Sequence, residues 1–143
     1  MRIRANLEEA VRKIFFGDEV NIKHYRRIYY TAKLLYPEVF KSIKKNECPF
    51  CKQRFMSKKS LKIHLRLSYE CTPKFNHVID NVIEVFKKYV DPIETRRRKG
   101  GTYYYVPTPY GKMRFKNLRQ AIYYAIFDIG KILEDPRYDY GYS

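Results

Sequence analysis

The sequence predicts a mostly α-helical protein with a small α+β module near its middle and a C-terminal β-hairpin followed by a helix. Three observations predict it. Apolar residues recur at helical spacing in five separate stretches. A C-x-x-C pair, Cys48 and Cys51, is followed twelve residues later by His64. Residues 102–106 form an aromatic, β-branched run, separated from 112–116 by a turn containing Pro and Gly.

Taken in order, Asn6 is placed to cap a first helix over 6–16. Glu9 lies three residues on, as in a capping box, and Leu7, Ala10, Val11, Ile14 and Phe15 form one apolar face. Gly17 and Asp18 end it. Asn21 is placed to cap a second helix over 21–36, with Val20 and Tyr25 at the spacing of a hydrophobic staple. Ile22, Tyr25, Tyr29, Ala32 and Tyr36 continue its stripe. Pro37 suits the first turn of a third helix over 37–45, with Val39, Phe40 and Ile43 inward. After a central module at 46–72, the stripe Phe75, Val78, Ile79, Val82, Ile83, Phe86 and Val90 predicts a helix over 74–90, stopped by Asp91-Pro92. Residues 96–101 read as a flexible basic connection to the hairpin. Asn117 is placed to cap a last helix over 117–133, with Leu118, Ala121, Ile122, Ala125, Ile126, Ile129 and Leu133 on one side. Residues 135–143 show little periodicity and are expected to be loose. The chain therefore divides into a helical region at 1–45, the module at 46–72, and a helix, basic linker, hairpin and helix at 73–143.

Composition bounds the function. At 45% hydrophobic and 17% aromatic residues, the 143-residue chain is too apolar to be disordered. No run approaches the ~20 apolar residues that cross a bilayer, and MRIRANLEEAVRK is not a secretory signal. A cytoplasmic protein without a membrane partner is the expectation. Lys and Arg number 30 against 15 acids, a net charge of +15 that attracts polyanions. The surplus is uneven. Residues 48–71 hold six bases and one acid, and residues 93–119 hold eight and one. These two segments are the candidate contact surfaces. Three cysteines, an odd number without an export signal, favour metal binding over a disulfide framework.

The segment CPFCKQRFMSKKSLKIHLRLSYEC resembles the Cys2His2 zinc-finger family over about 25 residues, at the spacing of Cys48, Cys51, Phe55, Leu61 and His64. The resemblance implies one Zn2+ per chain. Four nitrogen or sulfur ligands surround such an ion, and Phe55 and Leu61 supply a small core that needs the metal to fold. The fourth ligand departs from the family. Ser68, Tyr69 and Glu70 stand where a second His is expected, and Cys71 follows, making a Cys2HisCys set. An unbroken helix would place residue 71 about 10 Å along the axis from His64, so the helix must bend or end near 67–69. His77 is the rival fourth ligand. A zinc knot that only braces the domain is the bland alternative, and a redox C-x-x-C lacks the surrounding βαβ pattern.

In DNA-binding relatives a few residues of the finger helix read bases. The matching residues here, Ser57, Lys59, Ser60 and Ile63, include none of the usual bidentate readers, whereas Lys58, Lys59 and Lys62 suit phosphates. The finger alone is expected to grip backbone rather than sequence. The second surface, RRRKGGTYYYVPTPYGKMRFKNLRQAIYYA, offers Arg96, Arg97, Arg98, Lys99, Lys112, Arg114 and Lys116. Tyr104 is expected to face away from Tyr103 and Tyr105. Over some 28 residues this segment resembles sheet-then-helix DNA-binding modules such as the methyl-CpG-binding domain. Thr102 departs from the acidic residue of that pattern and Arg114-Phe115 from its order, so no base-reading role is carried over. A hairpin that merely stabilises the next helix, beside a solvated basic run, is the structural alternative.

These observations lead to a zinc-finger nucleic-acid-binding protein, a DNA-binding transcription regulator acting on duplex DNA, with RNA as a variant. The alternative is a zinc-braced module that docks on an acidic protein partner. The small size, single finger and thermophile-like composition, with no Trp and many Lys and Tyr, resemble accessory zinc-finger proteins of archaeal viruses and plasmids. That resemblance implies a host cytoplasm. An enzyme is not expected. Four filled zinc positions leave none for water, His24 and His77 have no nucleophile beside them, and Asp128, Glu134 and Asp135 read as a solvated helix end.

Overall fold

A computed structural model describes residues 2–128, with side chains from Asn6 onward. The chain divides into two compact units, Met1–Glu84 and Val85–Ser143. The first holds helices α1 (Arg2–Phe16), α2 (Tyr25–Leu35), α3 (Pro37–Lys44), α4 (Lys58–Leu67) and α5, which is Cys71–Val85. The second holds a π-helical turn at Phe86–Val90, strands β1 (Glu94–Arg98), β2 (Gly101–Thr108) and β3 (Gly111–Phe115), then α6 (Leu118–Tyr123) and a π-helical turn at Tyr124–Asp128. Mostly α with a small sheet and a helix after the strands is the class the sequence predicts. Ile129, Leu133, Glu134, Asp135 and the tail at 135–143 lie outside the described residues. Among the described residues no helix is long and apolar enough to cross a membrane.

In the first unit, Ala10, Val11, Ile14 and Phe15 are buried on α1 as the periodicity requires. Phe15 lies 4.7 Å from the ring of Phe40 on α3 and 5.8 Å from that of Phe75 on α5, so one aromatic joins three helices. Gly17 closes α1 at φ 75°. Its N–H bonds the carbonyl of Ile14, and the N–H of Asp18 bonds that of Lys13. That pair of bonds is the Schellman arrangement, which a Cβ at Gly17 would strain. Phe75, Val78, Ile79, Val82 and Ile83 are all buried on α5.

Two of the expected asparagine caps do not form. Asn6 does not cap α1, because the helix already runs from Arg2, and Glu9 instead meets Arg66 at 2.6 Å. Asn21 does not cap α2. His24 takes a left-handed conformation, φ 64°, and the helix begins only at Tyr25. The buried face of α2 is correspondingly Arg27, Ile28, Thr31 and Ala32 rather than the tyrosine stripe, and Tyr25 is exposed. Pro37 does occupy the first turn of α3.

In the second unit the strands form one antiparallel sheet in the order β1-β2-β3. The expected hairpin is β2 and β3. The basic run is no flexible connection, because residues 94–98 pair with β2 in full register, from Glu94 opposite Tyr105 to Arg98 opposite Gly101. Asn117 caps α6 as expected, its side chain accepting the N–H of Gln120. Val106, Leu118, Ala121, Ile122 and Ala125 are buried, and Phe115 lies 5.3 Å from Tyr124, so one face of the sheet packs on α6 and the turn after it.

Candidate functional site

The ligand cluster begins in a tight knuckle. Glu47 and Arg54 form an isolated antiparallel bridge, the N–H of Cys48 bonds the carbonyl of Gln53 at 2.8 Å, and that of Lys52 returns to Cys48 at 3.0 Å. Lys52 turns the chain at φ 68°. The knuckle brings Cys48 and Cys51 together, and the N–H of Phe50 points at Cys48 Sγ at 3.4 Å. Ser57 caps α4 by accepting the N–H of Ser60. From that helix, His64 Nε2 reaches to 3.6 Å from Cys51 Sγ, while Phe55 packs on the imidazole at 4.8 Å.

The fourth donor arrives through a helix break. Helix α4 stops at Leu67 and Ser68 turns extended. Its hydroxyl then accepts the N–H of Cys71, which starts α5. Pro73 sits in this first turn, where a missing N–H is tolerated. The break falls at 68–70, and Thr72 and Pro73 belong to the new helix, which starts at Cys71 rather than at residue 74. The ligand atoms of Cys48, Cys51, His64 and Cys71 all lie within 4.8 Å of one another. A tetrahedron built on metal–sulfur bonds of ~2.3 Å has edges of roughly 3.8 Å, so a small inward adjustment lets all four hold one ion. His77 is exposed on α5 and is not among the four.

The donors differ in environment. Burial pushes the Cys48 thiol up to about 11, with further upward contributions from the neighbouring Cys71 and Cys51. Cys51 is exposed and its thiol is lowered, chiefly by the backbone N–H of Gln53. A cluster of three sulfurs and an imidazole, with Cys48 and Cys71 buried, suits a cation that takes soft, tetrahedral ligands. The module is also not a free-standing mini-core. Leu61 and Leu65 are fully buried, and Phe50 lies 6.4 Å from Phe75 of α5.

The cations of this segment are largely engaged. Lys58 Nζ donates to the carbonyls of Ile43 and Lys44 and to Asn46 Oδ1, at 2.6, 3.1 and 2.6 Å, and so closes the C-terminus of α3 with all three of its protons. Lys62 pairs with Asp18 at 2.7 Å and lies over the ring of Phe16. Lys58 therefore has no proton left for a phosphate, and Lys62 is held by its acid. Ser57 serves as a cap, and of the three lysines Lys59 alone is exposed. The outward face of α4 carries Ile63 and Leu67 exposed one turn apart, with Tyr69 and Met56 exposed nearby in sequence.

The sheet presents a different surface. Opposed residues of an antiparallel pair share a face. The register therefore puts Glu94, Arg96, Arg98, Tyr103, Tyr105, Lys112 and Arg114 on the face away from α6, and Thr95, Arg97, Tyr104, Val106 and Phe115 on the other. Tyr104 indeed opposes its two neighbours. Arg96 and Arg98 lie 5.0 and 5.7 Å over the ring of Tyr105, and Arg114 lies 5.0 Å over Tyr103. Glu94, the acid on this face, pairs with Lys112 and with Arg96, which hold its carboxyl below the usual range. Lys99 sits in the β1–β2 turn and Lys116 just beyond β3, both exposed. Sequence reasoning missed that the strand alternation separates Arg97 from Arg96 and Arg98. No family model, curated protein or solved structure matches this chain.

Proposed function

We propose that this is a zinc-finger nucleic-acid-binding protein, a DNA-binding regulator in which zinc on Cys48, Cys51, His64 and Cys71 braces the helical unit and the sheet makes the principal contact. The observation that carries this reading is the exposed sheet face, on which four basic residues and two tyrosines converge with a single acid. Such a face matches a phosphate-lined partner, and its positive charge speeds encounter with one. Four protein donors complete a tetrahedron without a place for water, so the metal's role in this reading is structural. Titration of the intact protein with duplex DNA, single strands and RNA across a salt series tests it. Tight binding that weakens steeply with salt is expected, and binding to none of the three would overturn the proposal.

A second reading, docking on an acidic protein partner, is favoured by the exposed Ile63, Leu67, Tyr69 and Met56. The two readings part under competition. Duplex DNA displaces a partner that uses the basic sheet face and leaves one seated on α4.

A further inference from the structure

We infer that the helical unit holds a binding site for a small aromatic carboxylate, in the cleft lined by α1, α2 and α3. None of its residues belongs to the four-donor cluster or to the sheet, so the inference stands apart from the nucleic-acid reading.

The cleft has a volume of about 340 Å³. A cavity of about 150 Å³ takes up one benzene ring, so there is room here for two fused rings. Its walls are aromatic. The rings of Phe15 and Phe40 lie 4.7 Å apart and tilted by 42°, and Tyr29 meets Phe40 edge-on at 5.9 Å. Phe16 completes this lining. Phe15 is buried, but Phe16, Tyr29 and Phe40 are only partly covered. Ring atoms that face a cleft lack a packing partner on that side, and a flat apolar ligand supplies one. Tilted and edge-on walls offer such a ring stacked and T-shaped partners, which an acyl chain could not use.

The rim selects the charge. Among the residues that line the cleft, Lys33, Lys41, Lys44 and Lys58 are basic and none is acidic. The four lysines are not equivalent. Lys58 gives its protons to the carbonyls of Ile43 and Lys44 and to Asn46. Lys41 pairs with Glu38 at 3.3 Å. Among the described residues, neither Lys33 nor Lys44 has an acidic partner. Lys33 Nζ lies 4.7 Å over the ring of Phe40, which holds its charge against the aromatic wall. Lys58 acts indirectly. The carbonyl end of α3 would repel an anion, and the amine of Lys58 covers two of those carbonyls. Two unpaired lysines above an apolar lining suit a head of single charge, which is less costly to desolvate than a phosphate dianion.

The neighbouring cavity lacks this character. It also touches Phe16, but its volume is about 100 Å³, and Glu9 and Asp18 pair there with Arg66 and Lys62.

The test uses the intact protein supplied with zinc and titrated calorimetrically with 2-naphthoate. One molecule should bind saturably, with a dissociation constant on the order of 0.1 mM for a ligand of this size. Naphthyl protons should show intermolecular NOEs to the rings of Tyr29 and Phe40. 2-Naphthalenemethanol, with the same rings and no charge, should bind at least about fivefold more weakly. Decanoate, with the charge and no ring, should do the same. Lys33→Gln with Lys44→Gln should weaken 2-naphthoate roughly tenfold, whereas Lys13→Gln, beside the neighbouring cavity, should change it by less than about twofold. Far-UV circular dichroism checks that each variant is folded, and the three-ligand comparison on the unaltered protein needs no variant. Absence of saturable binding, NOEs confined to other residues, or an alcohol or decanoate that binds as tightly as 2-naphthoate each overturns the inference. So do equal losses from the Lys13 change and the Lys33–Lys44 pair, which would mean that diffuse surface charge holds the anion.

Discussion

Cys71 and Lys58 show what single residues can and cannot reveal by spacing. Cys71 lies too far along an unbroken helix to join His64 at one ion, yet the break at Ser68 returns it to within 4.8 Å of the other three donor atoms. The ligand set was legible because its chemistry admits few residue types and because distance along a helix can be worked out in advance. Cys71→Ala should therefore weaken zinc binding by more than roughly tenfold, whereas His77→Ala should leave it unchanged. Competition with a chromogenic chelator measures both, and the reverse order would reassign the fourth ligand. Lys58 teaches the opposite lesson. Beside Lys59 and Lys62 it reads as a phosphate contact, but its amine closes the carbonyl end of α3. Which acceptors a lysine finds is a tertiary fact that no local pattern carries. Lys58→Ala should lower the unfolding free energy by about 1–2 kcal/mol in urea titrations, through the lost charged hydrogen bonds, and leave the salt slope of DNA binding intact. A flattened slope with unchanged stability would return Lys58 to the contact surface.

At the scale of elements, periodicity identified most helices and missed three starts and a strand. Asn117 caps α6, whereas Asn6 and Asn21 cap nothing, although all three precede apolar periodicity. The difference lies beyond the cap. Arg2 already begins α1, and the left-handed His24 prevents α2 from starting early. Strand β1 was hidden for another reason. Its sequence is ETRRR, mostly exposed, with none of the apolar alternation that marks a half-buried strand. It forms because β2 offers an unpaired edge, and its charged side chains suit an outer strand. The strand geometry brings a consequence that a flexible linker would not. Arg97 points to the opposite face from Arg96 and Arg98. Arg98→Ala should weaken DNA binding roughly tenfold and Arg97→Ala by less than about twofold, read by fluorescence anisotropy at one salt concentration. Equal losses from the two changes would mean that the run acts as an unstructured basic tether.

For the whole molecule, the question is how far the influence of a metal held by these four donors would extend. From sequence, the module at 46–72 has only Phe55, Leu61 and the ion as its core, so chelation should unfold it and spare the long helices. The packing argues for a wider effect. Leu61 and Leu65 of α4 are fully buried, Lys58 closes α3, Lys62 meets Asp18 after α1, Arg66 meets Glu9 on α1, and Cys71 is the first residue of α5. Without an ion nothing would tie the buried Cys71, at the start of α5, to Cys48 and to His64 of α4. Each of these contacts ties the module to the rest of the same unit, so none survives its unfolding alone. The sheet and α6, which belong to the other compact unit, use none of them. Chelation should accordingly raise amide exchange across α1, α3, α4 and α5 together, while protection in β2 and α6 stays as it was. Hydrogen-exchange mass spectrometry with and without chelator gives both readings on one sample. Exchange confined to 46–72 would restore the free-standing finger, and exchange rising equally in β2 would mean that the metal's reach includes the second unit.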